Sequence, residues 1–175
     1  MSHSRPRSRS RSGPRGNPSP SGDAAETAAE AALVSAAVAV DGLVLYRGDP
    51  QQLVAQRTYV DFYFHRTGSP ASYLTIQHKG CEVFKHTGGR ANRTTYEAGG
   101  RAGVFSKIQV NFILFSITEY EDGPIEFFLV EPRDPVLRNR KSIKITLANF
   151  RLEFQKFRIG TAEDVVVRLK EELGD

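Results

Sequence analysis

The sequence predicts a mainly β domain, an antiparallel sandwich or barrel of which a jelly roll is one form, with a helix at each end and a basic arm in front. Three observations predict it. From Leu43 onward apolar residues recur with a period of two, which places alternate side chains on opposite faces of a strand. Helical periodicity is confined to an Ala-rich stretch before this region and an amphipathic stretch after it. Between them, Gly- and Pro-containing turns leave room for about seven or eight strands, and strands gathered in one run pack sheet against sheet.

The arm covers residues 1–22. Arg5, Arg7, Arg9, Arg11 and Arg15 lie within the first 20 residues, which contain no acid. Such a Pro- and Ser-rich charged segment buries too little apolar surface to offset its ordering entropy, so it is expected to be disordered. Residues 23–42 read as an Ala-rich linker helix. Asp23 and Glu26 have capping-box spacing, alanine favours the helix, and Asp41-Gly42 ends it. Its apolar end, with Leu33, Val34 and Val38, is expected to dock on the domain formed by residues 43–175.

Within that domain, Val60, Phe62 and Phe64 alternate with Asp61, Tyr63 and His65 as a half-buried strand. Gly68-Ser69-Pro70 is a turn, Tyr73–His78 returns as a strand, and a shorter one is expected over Cys81–Lys85. The longest run is Lys107–Tyr120, followed by a turn at Glu121-Asp122-Gly123-Pro124 and a hairpin partner over Ile125–Val130. Ile143, Ile145 and Leu147 alternate, and the apolar phase then slips to Phe150, Leu152 and Phe154. Such a slip within a β run predicts a bulge or a sheet corner. Thr161 to Asp164 is a helix cap, and Val165, Val166, Leu169 and Leu173 follow at helical spacing.

Motifs for catalysis are missing. The histidines (His3, His65, His78 and His86) form no metal-ligand spacing, and one cysteine, Cys81, supports neither a disulfide framework nor a Cys-rich zinc site. There is no nucleophile elbow, P-loop or dinucleotide fingerprint. No enzyme, metal or other cofactor is expected. The basic terminus is followed by no apolar signal core, and Ala31–Val40 is too short and Ala-rich to span a bilayer, so a non-secreted protein without a transmembrane segment is expected.

Charge carries the functional reading. The chain has 24 Lys+Arg against 20 Asp+Glu, and without the arm's five arginines 19 basic residues face 20 acidic ones. Arginine forks onto phosphate oxygens, so the arm is expected to bind a nucleic-acid backbone by counterion release. Ser8, Ser10 and Ser12 alternate with its arginines, and phosphorylation there would cancel its field. Residues 57–107 and 133–160 are basic, whereas 108–132 and 161–175 are acidic. If the fold joins the two basic segments, they make a phosphate platform, and opposite patches on one domain favour head-to-tail self-association. The long Gly-rich loop Thr87–Val104 adds Arg90, Arg93 and Arg101 as phosphate contacts, with Tyr96 for base stacking. Glu121 and Asp122 against Arg140 and Lys141 are the expected self-association charges.

An Arg/Ser arm, a linker helix and an all-β domain, in that order, resemble small viral structural proteins. Capsid proteins with a basic arm before a jelly roll share it, and so do rhabdovirus-type matrix proteins, whose architecture the C-terminal helix favours. The resemblance implies a self-assembling virion protein in the host cytoplasm or nucleus that binds RNA or ribonucleoprotein. Two other readings fit the same residues. One is a cellular nuclear RNA-binding adaptor, since the Ser-Arg run is similar to splicing-factor tails and would engage a nuclear import receptor. The other is a binder of anionic membrane surfaces.

Overall fold

The computed structural model describes residues 20–40, 42–47, 60–82, 95–99, 104–118 and 123–174. Helix α1 (Pro20–Ala39) leads into strands β1 (Leu43–Arg47), β2 (Phe62–Arg66) and β3 (Ser69–Glu82). Strands β4 (Thr95–Gly99), β5 (Phe112–Thr118) and β6 (Ile125–Val130) follow, and then β7 (Ser142–Thr146), helix α2 (Leu147–Glu153), β8 (Arg158–Ile159) and helix α3 (Ala162–Leu173). The mainly β class with a helix at either end holds. Six strands form one sheet in the order β1-β2-β3-β5-β6-β8, and β4 and β7 form a separate two-stranded ribbon. Neighbours in the sheet are antiparallel except β3 and β5, which run parallel with Ile76 opposite Phe112 and Glu82 opposite Thr118.

The pleat divides the core in two. Phe62, Phe64, Leu74, Ile76, Phe112, Leu114, Phe127 and Leu129 share one face, where they meet Ala29, Leu33, Ala36 and Ala37 of α1 and Val165, Val166 and Leu169 of α3. The opposite face sends Ile113, Phe115, Ile117, Phe128 and Val130 into a second cluster with Tyr96, Phe105, Ile143, Leu147, Phe150 and Phe154. Strand β5 is buried along its whole length on both faces, which is why its sequence FILFSIT is almost continuously apolar.

Helix α1 starts at Pro20, a residue suited to a first helical position, so Asp23 lies inside the helix and not at its cap. Its apolar end docks only in part: Leu33 is buried, while Val34 and Val38 are exposed. The two strands expected over 73–85 are one strand, β3, entered through a tight turn at Gly68, whose φ of +81° is unfavourable to other residues. The run expected to be extended from Lys107 becomes a strand only at Phe112. Before it, Phe105–Lys107 is a 3₁₀ turn anchored by buried Phe105, whose N–H bonds to the Arg140 carbonyl at 2.8 Å. The slip after Leu147 is neither a bulge nor a corner. It is helix α2, started by the Thr146 hydroxyl accepting from Asn149 N–H, with Leu147, Phe150 and Phe154 turned inward and Leu152 outward. Thr161 caps α3 as expected, in a reciprocal capping box with Asp164.

Candidate nucleic-acid interface

The ribbon covers only half of the second sheet face. Over β5 and β6 that face is closed by the ribbon and α2, whereas over β1, β2 and β3 the out-of-core phase carries Tyr46, Tyr63, His65, Tyr73 and Thr75. Register brings the rings together, because Tyr46 lies opposite Tyr63 and His65 opposite Tyr73. Tyr46 and Tyr63 are stacked, with centroids 5.2 Å apart and planes 12° from parallel. His65 meets Tyr46 edge-on at 5.7 Å, and Tyr73 tilts against Tyr63 at 5.8 Å. Tyr46 is 46% and Tyr73 51% exposed, a large apolar exposure for rings that contact one another. In this phase Asp61 precedes Tyr63, its carboxylate accepting from the His78 N–H at 2.7 Å, and Lys79 follows farther along β3.

A basic cleft adjoins this face. The β4–β7 pairing sets Thr95 opposite Thr146 and Gly99 opposite Ser142, and the Phe105–Arg140 backbone bond continues the junction. The two basic segments are therefore neighbours. Residues 106–111 and 131–133 line a cleft of about 620 Å³ that holds two cations, Lys107 and Arg133, and one carboxylate, Glu131. Its floor joins the open face directly: Asn111 Oδ1 accepts from Thr75 N–H at 2.8 Å and from Thr75 Oγ1–H at 2.9 Å, and Thr75 lies opposite Tyr63.

The other cations of this region divide into paired and unpaired. Arg151 and Arg158 both bind Glu126, Lys156 binds Asp134 at 3.1 Å, and Arg168 binds Glu171 and Glu172. Lys107, Arg133, Arg138 and Lys141 are exposed and make no salt bridge among the described residues.

Of the expected site residues, Arg5, Arg7, Arg9, Arg11, Arg15, Ser8, Ser10, Ser12, Arg90, Arg93, Arg101, Glu121 and Asp122 lie outside the described residues. Lys141 is exposed in the turn before β7, and Arg140 beside it is bonded to Glu153. One expectation is corrected. Tyr96 is not available to a base: it is fully buried, stacked on Phe150 at 4.0 Å, and donates its hydroxyl to the Lys79 carbonyl.

The tyrosine rows were missed in the sequence, although a signal was present. An aromatic ring in the polar phase of a half-buried strand contributes nothing to the core, and Tyr46, Tyr63, His65 and Tyr73 all occupy that phase.

Among the described residues His78 is the one strongly perturbed group. It is buried beneath the helices with Nε2 2.8 Å from Ser116 Oγ, and its pKa is lowered from 6.5 to about 3 by loss of hydration and then by Lys79. It has no access to a substrate and reads as a core hydrogen bond. Among the described residues no group of three or more His, Cys, Asp or Glu side chains is placed to hold a metal ion, and no helix is long and apolar enough to cross a membrane. Comparisons with protein-family models, with curated proteins and with solved structures find no match, so the reading of this surface rests on its own geometry.

Proposed function

We propose that this protein is a non-enzymatic nucleic-acid-binding protein of the viral structural kind, a capsid, nucleocapsid or matrix protein acting in the virion and in the host cytoplasm or nucleus. The arm and the domain's basic cleft hold the phosphate backbone of RNA or ribonucleoprotein, and the domain self-associates. The observation that carries this reading is the junction of the two basic segments through β4, β7 and the Phe105–Arg140 bond, which gathers Lys107, Arg133, Arg138 and Lys141 without carboxylate partners among the described residues. Gathered cations bind phosphate more strongly than scattered ones because each released counterion adds to the same equilibrium.

The test is RNA binding across a salt series, for the full chain and for a chain lacking residues 1–19, which keeps α1. Loss of the five arginines is expected to weaken binding and to reduce the slope of log K against log salt by roughly 3 to 4. Circular dichroism is expected to stay that of the full chain. No RNA binding at any salt overturns the reading, and capture by anionic vesicles instead would favour a membrane-surface protein.

A further inference from the structure

We infer that the open face of β1, β2 and β3 is a stacking platform for single-stranded nucleic acid, with Tyr46, Tyr63 and Tyr73 as its rings and the cleft at Lys107 and Arg133 as the path of the phosphates. This rests on the nucleic-acid reading and names which form of nucleic acid the domain selects. Three observations carry it.

The rings stand on a rigid support. Their strands are hydrogen-bonded in register, and their backs are the core strands under α1, so little ordering remains to be done on binding. Tyr46 and Tyr73 are exposed and Tyr63 between them is half-buried, an arrangement in which apolar ring surface stays in contact with water. The face is continuous with the cationic cleft through the Thr75–Asn111 bonds, so a strand whose bases lie on the rings has its backbone beside Lys107 and Arg133.

The occupant follows from this chemistry. A duplex hides its bases from flat rings, while a single strand offers them one after another, and every base has a π-face. The alternative is a cross-strand aromatic ladder that only stabilises the sheet.

The chain has no tryptophan, so its emission reports tyrosine directly. A single-stranded oligonucleotide, as RNA and as DNA, and the matching duplex are titrated into the full-length protein at low and high salt. Single strands are expected to quench tyrosine emission and to stay bound at salt that releases the duplex. Tyr46→Thr/Tyr63→Thr/Tyr73→Thr is expected to bind single strands at least about tenfold more weakly with duplex binding unchanged. Tyr46→Phe/Tyr63→Phe/Tyr73→Phe is expected to retain most of the affinity.

A folded Thr variant that binds single strands as tightly as the unchanged chain overturns the platform and leaves the nucleic-acid reading standing. Absence of binding to every oligonucleotide overturns that reading itself. If the triple Thr variant does not melt cooperatively, Tyr73→Thr alone, at the most exposed ring, gives the same decision.

Discussion

His78 illustrates how much one side chain's surroundings alter its chemistry. In water its imidazole would be half protonated at pH 6.5, but beneath α1, buried with Ser116 as neighbour, the charged form is disfavoured and the pKa falls to about 3. The unfolded chain therefore binds a proton that the folded chain refuses. The contribution to stability is complete above pH 6.5 and diminishes as pH falls toward 3, at up to about 1.4 kcal/mol per pH unit. Urea unfolding is expected to lose roughly 2 kcal/mol from this group between pH 6.5 and 5. In His78→Gln that part of the slope should vanish. An equal pH slope in both proteins would show that His78 is not buried in its neutral form. Position in the strand decided this residue's role, since the same residue type at 65, one strand away, faces the open side among tyrosines.

Among the elements, the crossing of α1 over β3 has the least room for change. A side chain at Gly80 would place its first carbon 2.7 Å from Glu26 Cγ and 2.9 Å from the Glu26 backbone nitrogen, so the helix would have to move. Gly80→Val is expected to destabilise the fold by about 1–3 kcal/mol, with a lower midpoint in thermal melts and earlier proteolysis at α1. A melt unchanged by this substitution would mean that α1 does not seat as described. The glycine looked unremarkable in the sequence because its constraint comes from a helix 54 residues earlier. The opposite holds at α3, whose start was legible at once: the Thr161–Asp164 box is satisfied within one turn and needs no distant partner. Helix α2 falls between these cases. Its spacing of Leu147, Phe150 and Phe154 is helical, but it follows an alternating strand directly, and no glycine or proline marks the change.

On the scale of the whole molecule, charge is sorted by topology more than by sequence distance. Pairing 95–99 with 142–146 and Phe105 with Arg140 gathers cations, while Glu126 is neutralised by Arg151 and Arg158 across the second core. The proposed self-association then draws on Arg138 and Lys141, because Arg140 is engaged by Glu153, with Glu121 and Asp122, which lie outside the described residues between β5 and β6, as the proposed opposite charges. Each exposed pair contributes roughly 0–1 kcal/mol, so the oligomer is expected to be weak and salt-sensitive. Light scattering at low salt should show a mass that falls with protein dilution. Glu121→Lys/Asp122→Lys should remain monomeric, and adding Arg138→Glu/Lys141→Glu should partly restore the oligomer. A chain that is monomeric at high concentration with RNA present would remove self-association from the proposed function.

The sequence alone determined what is local. Period-two alternation defined β2, the turn ending at Pro124 placed β6, capping chemistry defined the start of α3, and composition defined an arm rich in arginine and free of acid, because each depends on neighbours only a few residues away. Tertiary structure decided the rest. The parallel pairing of β3 with β5, the burial of Tyr96 and the engagement of Arg140 and Glu126 all depend on partners far along the chain, and a local pattern cannot say which distant residue will arrive. The candidate site shows the division most clearly. Its tyrosines were readable one by one as residues of the polar phase, but they became a surface only when three strands set them in register and the ribbon stopped short of covering them.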